Sequence, residues 1–186
     1  MTRVIWKYGL LAGVILAVLM FLTIPFVDTI GDMGIVLGYT TMLIGFMMII
    51  FGIRAYRDGE GGGEISFGRA FLIGLAITVI GSLCYVASWE VMSRKYMPDF
   101  ADKYSARIMA KARAERMPAA ELAATQKKMD DFAISYKNPW YRMPLTLLEP
   151  LPVGLILSLV AAGVLRRGRS ASADPKRASP YAQKAG

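Results

Sequence analysis

At 186 residues, with 55% hydrophobic side chains and a mean hydropathy of +0.41, the chain is too apolar for a water-facing surface. A single cysteine, Cys84, excludes an intramolecular disulfide, and the absence of histidine removes the commonest residue of zinc, haem and triad chemistry. The net charge of +8 sits on basic residues interrupted by membrane-length apolar blocks, so it reads as topological and not as a nucleic-acid footprint. No enzyme activity, catalytic residue, cofactor or metal site is expected.

After Arg3 and Lys7 an uncharged run covers 8–27 and ends at Asp28. It is longer than the apolar region of a signal peptide, and Phe26-Val27-Asp28-Thr29 offers no small-x-small cleavage site, so it reads as a retained first span. Pro25 falls in its last turn, where a lost backbone hydrogen bond costs least. A loop with Asp28 and Asp32 but no Lys or Arg leads to a second uncharged run, 33–53. Glycines recur there every seven residues, at Gly31, Gly38, Gly45 and Gly52, and the third span answers with Gly74, Gly81 and Ser88. Small residues at such spacing let backbones approach closely, so spans two and three are expected to pack along these strips.

Between them, residues 54–69 contain Gly61-Gly62-Gly63, a flexible turn that lacks the Gly-Lys-Ser/Thr ending of a phosphate-binding Walker loop. Ser66 is placed to cap the next helix. That helix carries 70–89 with no ionisable group except Cys84 and Tyr85, which is the length needed to cross about 30 Å of hydrocarbon. Cys84 reads as packing, and Tyr85, Trp89 and Tyr96 read as an interfacial aromatic belt.

The basic Tyr56-Arg57-Asp58 at the end of span two, the glycine turn, and Ile65-Ser66-Phe67-Gly68-Arg69-Ala70-Phe71 leading into a glycine-bearing span resemble an uncharacterised bacterial membrane family, domain of unknown function 4199. The resemblance covers roughly 6–165 and includes four spans with a helical insertion between the third and fourth. It implies that architecture and carries no known catalytic residues.

Residues 93–142 are polar, with eleven Lys or Arg and six acids. Pro98 and Pro118 stand where helices start, and Asn138-Pro139 where one ends. Phe100, Tyr104 and Ile108 share one helical face, and Leu122, Met129, Phe132, Ala133 and Tyr136 another. Each piece is marginal alone, so the two pack together, or lie on lipid or a partner. Lys103, Arg107, Lys111, Arg113 and Arg116 would favour anionic headgroups. The fourth span, 143–165, is interrupted by Glu149-Pro150-Leu151-Pro152, where two prolines remove two amide donors. Beyond Arg169 a Ser/Ala/Pro/Lys tail, 170–186, is expected to be disordered.

The predicted fold is all-α: an integral membrane four-helix bundle over 1–169 with spans at about 6–27, 33–53, 69–92 and 143–165. An extramembrane amphipathic helical hairpin occupies 97–138, between spans three and four, and a cytoplasmic tail occupies 170–186. With both termini inside, the inner segments and the insertion each hold eleven basic residues. The uncharged first loop and the Arg3/Lys7 flank favour cytoplasmic termini in a bacterial inner membrane.

The candidate functional residues are Glu149 and Glu90, acids inside or beside spans, with Arg142 and Arg94 as expected partners. Glu149, about 9 Å past Met143, is placed to reach the interface or pair with Arg142. Glu90 has Arg94 at helical ion-pair spacing. Gly38, Gly45, Gly52, Gly74 and Gly81 are the packing candidates. The expected role is structural: a scaffold or partner-binding protein that contacts the lipid bilayer and, through 97–138, another envelope protein or a second copy, with no nucleic acid. The alternative is a small transporter or channel component that uses Glu149 and Glu90 at the broken fourth helix.

Overall fold

The computed structural model describes residues 1–26 and 33–166. The loop with Asp28, Gly31 and Asp32 and the tail at 170–186 lie outside the described residues. Four helical segments are long and apolar enough to cross a membrane: Thr2–Phe26, Met33–Glu60, Phe67–Lys95 and Pro139–Leu165. The chain is therefore an all-α, multi-pass membrane bundle.

Span one is α1 (Thr2–Leu22), closed by a 3-10 turn at Ile24–Phe26 that contains Pro25. Span two is the 28-residue helical segment Met33–Glu60. α2 (Met33–Phe46) and α3 (Met48–Ala55) meet at Met47, whose amide is shared between the Leu43 and Ile44 carbonyls at 3.1 and 3.3 Å. A π-helical turn, Tyr56–Glu60, then leads to Gly62 and Gly63, whose positive φ values of 61° and 87° suit glycine. Span three is α4 (Phe67–Lys95), and the Ser66 hydroxyl caps it by accepting from the Arg69 amide at 3.4 Å. The hairpin is α5 (Phe100–Ala114) and α6 (Ala119–Tyr136), with Pro118 at the N-cap of α6. Span four is α7 (Pro139–Leu147) and α8 (Pro150–Leu165), broken where the two prolines were read to break it. Asn138 starts it by accepting from the Trp140 amide at 3.0 Å, so the span begins four residues earlier than its hydrophobic run suggests.

α4 is the central helix and packs most extensively against spans one and four. The core joins Leu16, Phe46, Ile49, Ile53, Ile73 and Ile77, each at most 1% exposed.

The two glycine strips do not close on each other as a continuous seam. A Cβ at Gly81 would lie 3.1 Å from Phe46 and one at Gly52 2.5 Å from Ile77 Cδ1, so these two receive large side chains across the span two/three contact. Gly74 meets Ser158 of span four at 2.8 Å and Ile49 at 3.1 Å, whereas Gly45 meets Leu16 of span one at 2.6 Å. Gly38 has open space. A helix drifts about 20° per seven residues, so a seven-residue repeat does not hold to one neighbour. Two equally close or closer crossings fall on glycines outside the strips. A Cβ would lie 2.5 Å from Cys84 at Gly13, and 2.2 Å from Thr78 at Gly154. Cys84 is accordingly a packing residue against span one.

Candidate functional site

The polar groups of the bundle collect where α4 leaves the membrane and span four enters it. Glu90 lies on the last turns of α4, and Arg142 on the first turns of α7. Their side chains are 10% and 8% exposed. Arg142 donates through Nε to Glu90 Oε1 and through Nη2 to Oε2, both at 2.7 Å, while its Nη1 donates to the Tyr136 carbonyl at 3.1 Å. Arg94 adds a third bond to Oε2 at 3.0 Å, the i,i+4 pair expected from the sequence. This two-pronged geometry uses the planar guanidinium fork, which a lysine cannot supply.

Aromatic rings enclose the ion pair. Trp89 Nε1 donates to the Tyr136 hydroxyl at 2.7 Å, and the Arg142 guanidinium lies 5.6 Å from the Tyr136 ring centre. Phe100 meets Trp89 edge-on at 4.9 Å and tilts against Tyr136 at 5.6 Å, and Phe132 continues the stack at 5.1 Å from Tyr136. Burial pushes the Tyr136 phenol up to about 12. Trp89 therefore belongs to the base of the hairpin, while Tyr96, 57% exposed and edge-on to Phe21 at 6.0 Å, remains on the outside where a belt residue belongs.

Glu149 does not pair with Arg142. Its carboxylate accepts from the Tyr85 hydroxyl at 3.2 Å and is exposed. The break between Leu147 and Pro150 is the cause. Arg142 and Thr146 occupy the buried face of α7, and the next buried position on span four is taken by Pro150, which turns Glu149 outward. Although Glu149 precedes α8, its side chain makes no capping bond.

A second polar group lies deeper, unforeseen from sequence. Thr78 donates to the Gly74 carbonyl at 3.0 Å and stands 3.3 Å from the Ser158 hydroxyl, which bonds the Gly154 carbonyl at 2.7 Å. Ser82 on the same helix is fully buried with no partner among the described residues. These hydroxyls are invisible in a hydropathy reading because each is isolated in an apolar run.

The arrangement holds Glu90, Arg94 and Arg142 in fixed pairs. It is a joint: a buried, bidentate ion pair fastens span three to span four, and the Arg142–Tyr136 bond and a ring stack fasten the insertion to it. Among known proteins, a family model described as a protein of unknown function (DUF4199) matches residues 7–167. No curated protein and no solved structure matches the chain.

Proposed function

The chain belongs to the DUF4199 family of proteins of unknown function, and from the geometry of its joint we propose that it is a structural, partner-binding membrane protein that holds a helical hairpin in a fixed pose at the membrane surface. One observation carries this reading: Arg142, locked to Glu90 of α4 in a buried ion pair, also donates to the last carbonyl of α6, so the hairpin cannot swing without breaking that bond and the ring stack beside it. The two hairpin helices do pack together, with Ser105 bonding the Met129 carbonyl at 3.3 Å and Tyr104 meeting Phe132 at 5.5 Å. Their outer faces remain uncovered: Tyr136 is the one buried residue of α6, and Ile134 is 70% exposed. A hairpin anchored this firmly at its base and this bare elsewhere suits a protein partner in the envelope or a second copy.

Topology belongs to the same proposal: a bacterial inner membrane with both termini cytoplasmic and the hairpin on the opposite face. A reporter active only in the periplasm should then work within the insertion and be silent after Arg169. The partner is tested by replacing 103–131 with a short Gly/Ser linker, which keeps Phe100, Tyr136 and Arg142. Crosslinking in native membranes followed by mass spectrometry should lose a specific neighbour that the wild type captures, and an unchanged set of neighbours would sink the reading. The transporter alternative finds less support, because both oxygens of Glu90 are already occupied by arginines.

A further inference from the structure

The exposed acid at the break in span four is not absorbed by the scaffold reading, and its inference stands independently of the hairpin. The geometry points to Glu149 and Tyr85 as a binding site for an organic ammonium group, presented by an amine lipid headgroup or by a soluble amine.

The argument begins with charge. At this end of spans three and four both arginines, Arg94 and Arg142, are spent on Glu90. Among the described residues no Lys or Arg pairs with Glu149, whose bond from the Tyr85 hydroxyl is neutral. Tyr85 is four residues before Trp89, about 6 Å along the helix, so this carboxylate meets the membrane at the level of its outer boundary. A carboxylate at that depth is stable only with a counter-charge or good access to water.

The surroundings select the kind of cation. Among the described residues no three His, Cys, Asp or Glu side chains come together, and Ca²⁺ or Mg²⁺ needs six or more oxygens or a firmly held water shell. An ammonium group needs less: one carboxylate and further acceptors. Pro152 has no N–H to offer the Leu148 carbonyl beside Glu149, which frees an acceptor on the same break. The Tyr85 phenol stands directly against the carboxylate, and its oxygen keeps lone pairs that can accept from the same ammonium group.

The full chain in detergent is offered equal amounts of phosphatidylethanolamine and phosphatidylglycerol, and retained lipid is read by native mass spectrometry. In a parallel arm soluble ethanolamine is titrated against tyrosine fluorescence. We expect the wild type to prefer phosphatidylethanolamine about tenfold, the scale of one charged hydrogen bond. Glu149→Gln should abolish the preference while leaving the helical circular dichroism unchanged, Glu149→Asp should keep part of it, and Tyr85→Phe should reduce it severalfold. Glu149-dependent binding of ethanolamine without a lipid preference supports the site and identifies a soluble amine as its occupant. Absence of both, or binding that survives Glu149→Gln or is unmoved by Tyr85→Phe, overturns the proposal.

Discussion

Glu90 and Glu149 begin as near equivalents, each an acid near the hairpin end of an apolar span with an arginine within reach in sequence. In the fold they are treated in opposite ways. Glu90 has two arginines, three charged hydrogen bonds and a 10% exposed side chain. Glu149 has one neutral phenol and stays exposed. A buried carboxylate must be fully paired, because removal of a partner strands a charge in a low dielectric. An exposed one is free to wait for a ligand. The contrast separates an acid that builds the protein from one that the protein leaves available.

The strongest way to break the contrast is to strip Glu90 of its fork. Arg142→Ala should lower stability by about 3–5 kcal/mol, and Arg142→Lys should recover only part of that. A double-mutant cycle with Glu90→Gln, read by unfolding in detergent, should show strong coupling. Additive losses would mean that the pair is incidental.

Next in size are the helix crossings that bring both acids to the same end. Gly154→Val should cost about 1–3 kcal/mol by overpacking against Thr78, while Gly38→Ala should cost nothing or stabilise slightly. Gly45→Leu and Gly81→Leu should also exceed Leu43→Ala, since Leu43 is 48% exposed. Thermal unfolding of the set in one detergent makes the comparison, and equal shifts for Gly154→Val and Gly38→Ala would refute the packing assignment.

A smaller effect concerns the ring above Glu90. The Tyr136 phenol is raised from about 10 to about 12, so its neutral form is favoured in the fold. The stability it lends is complete below about pH 10 and is lost as pH rises toward 12. Wild type should therefore lose more stability than Tyr136→Phe between pH 9 and 11, and parallel pH profiles would show that the phenol is not protected.

The smallest effect is expected at the other acid. Glu149→Gln keeps shape and the Tyr85 bond and should change stability by about 1 kcal/mol or less. A loss as large as that of Arg142→Ala would erase the distinction between the two sites.

Legibility in the sequence followed the range of the interaction. The Ser66 cap, the Glu90–Arg94 pair and the break at Pro150 and Pro152 act within four residues, and all three stand in the fold as read. The glycine heptads do not form a continuous seam, because a seven-residue repeat drifts about 20° per repeat around a helix and Gly45 faces span one. Arg142 was recognised as a partner but given to the nearer acid. Its true partner is 52 residues away, and an uninterrupted helical projection would put residue 149 on the face of residue 142.

What the sequence determined by itself is the all-α membrane class, the number and approximate limits of the spans, the hairpin between the third and fourth, and the breaks where proline withholds a donor. These follow from transfer of apolar side chains and from backbone hydrogen bonding, which act locally and leave a mark in composition. The tertiary structure alone decided which acid is buried, which glycines are crossed, and that Trp89 reaches Tyr136 at the base of the hairpin. Those outcomes depend on the rotation and phase of each helix against its neighbours, set by packing among residues far apart in the chain, and no window of sequence contains them.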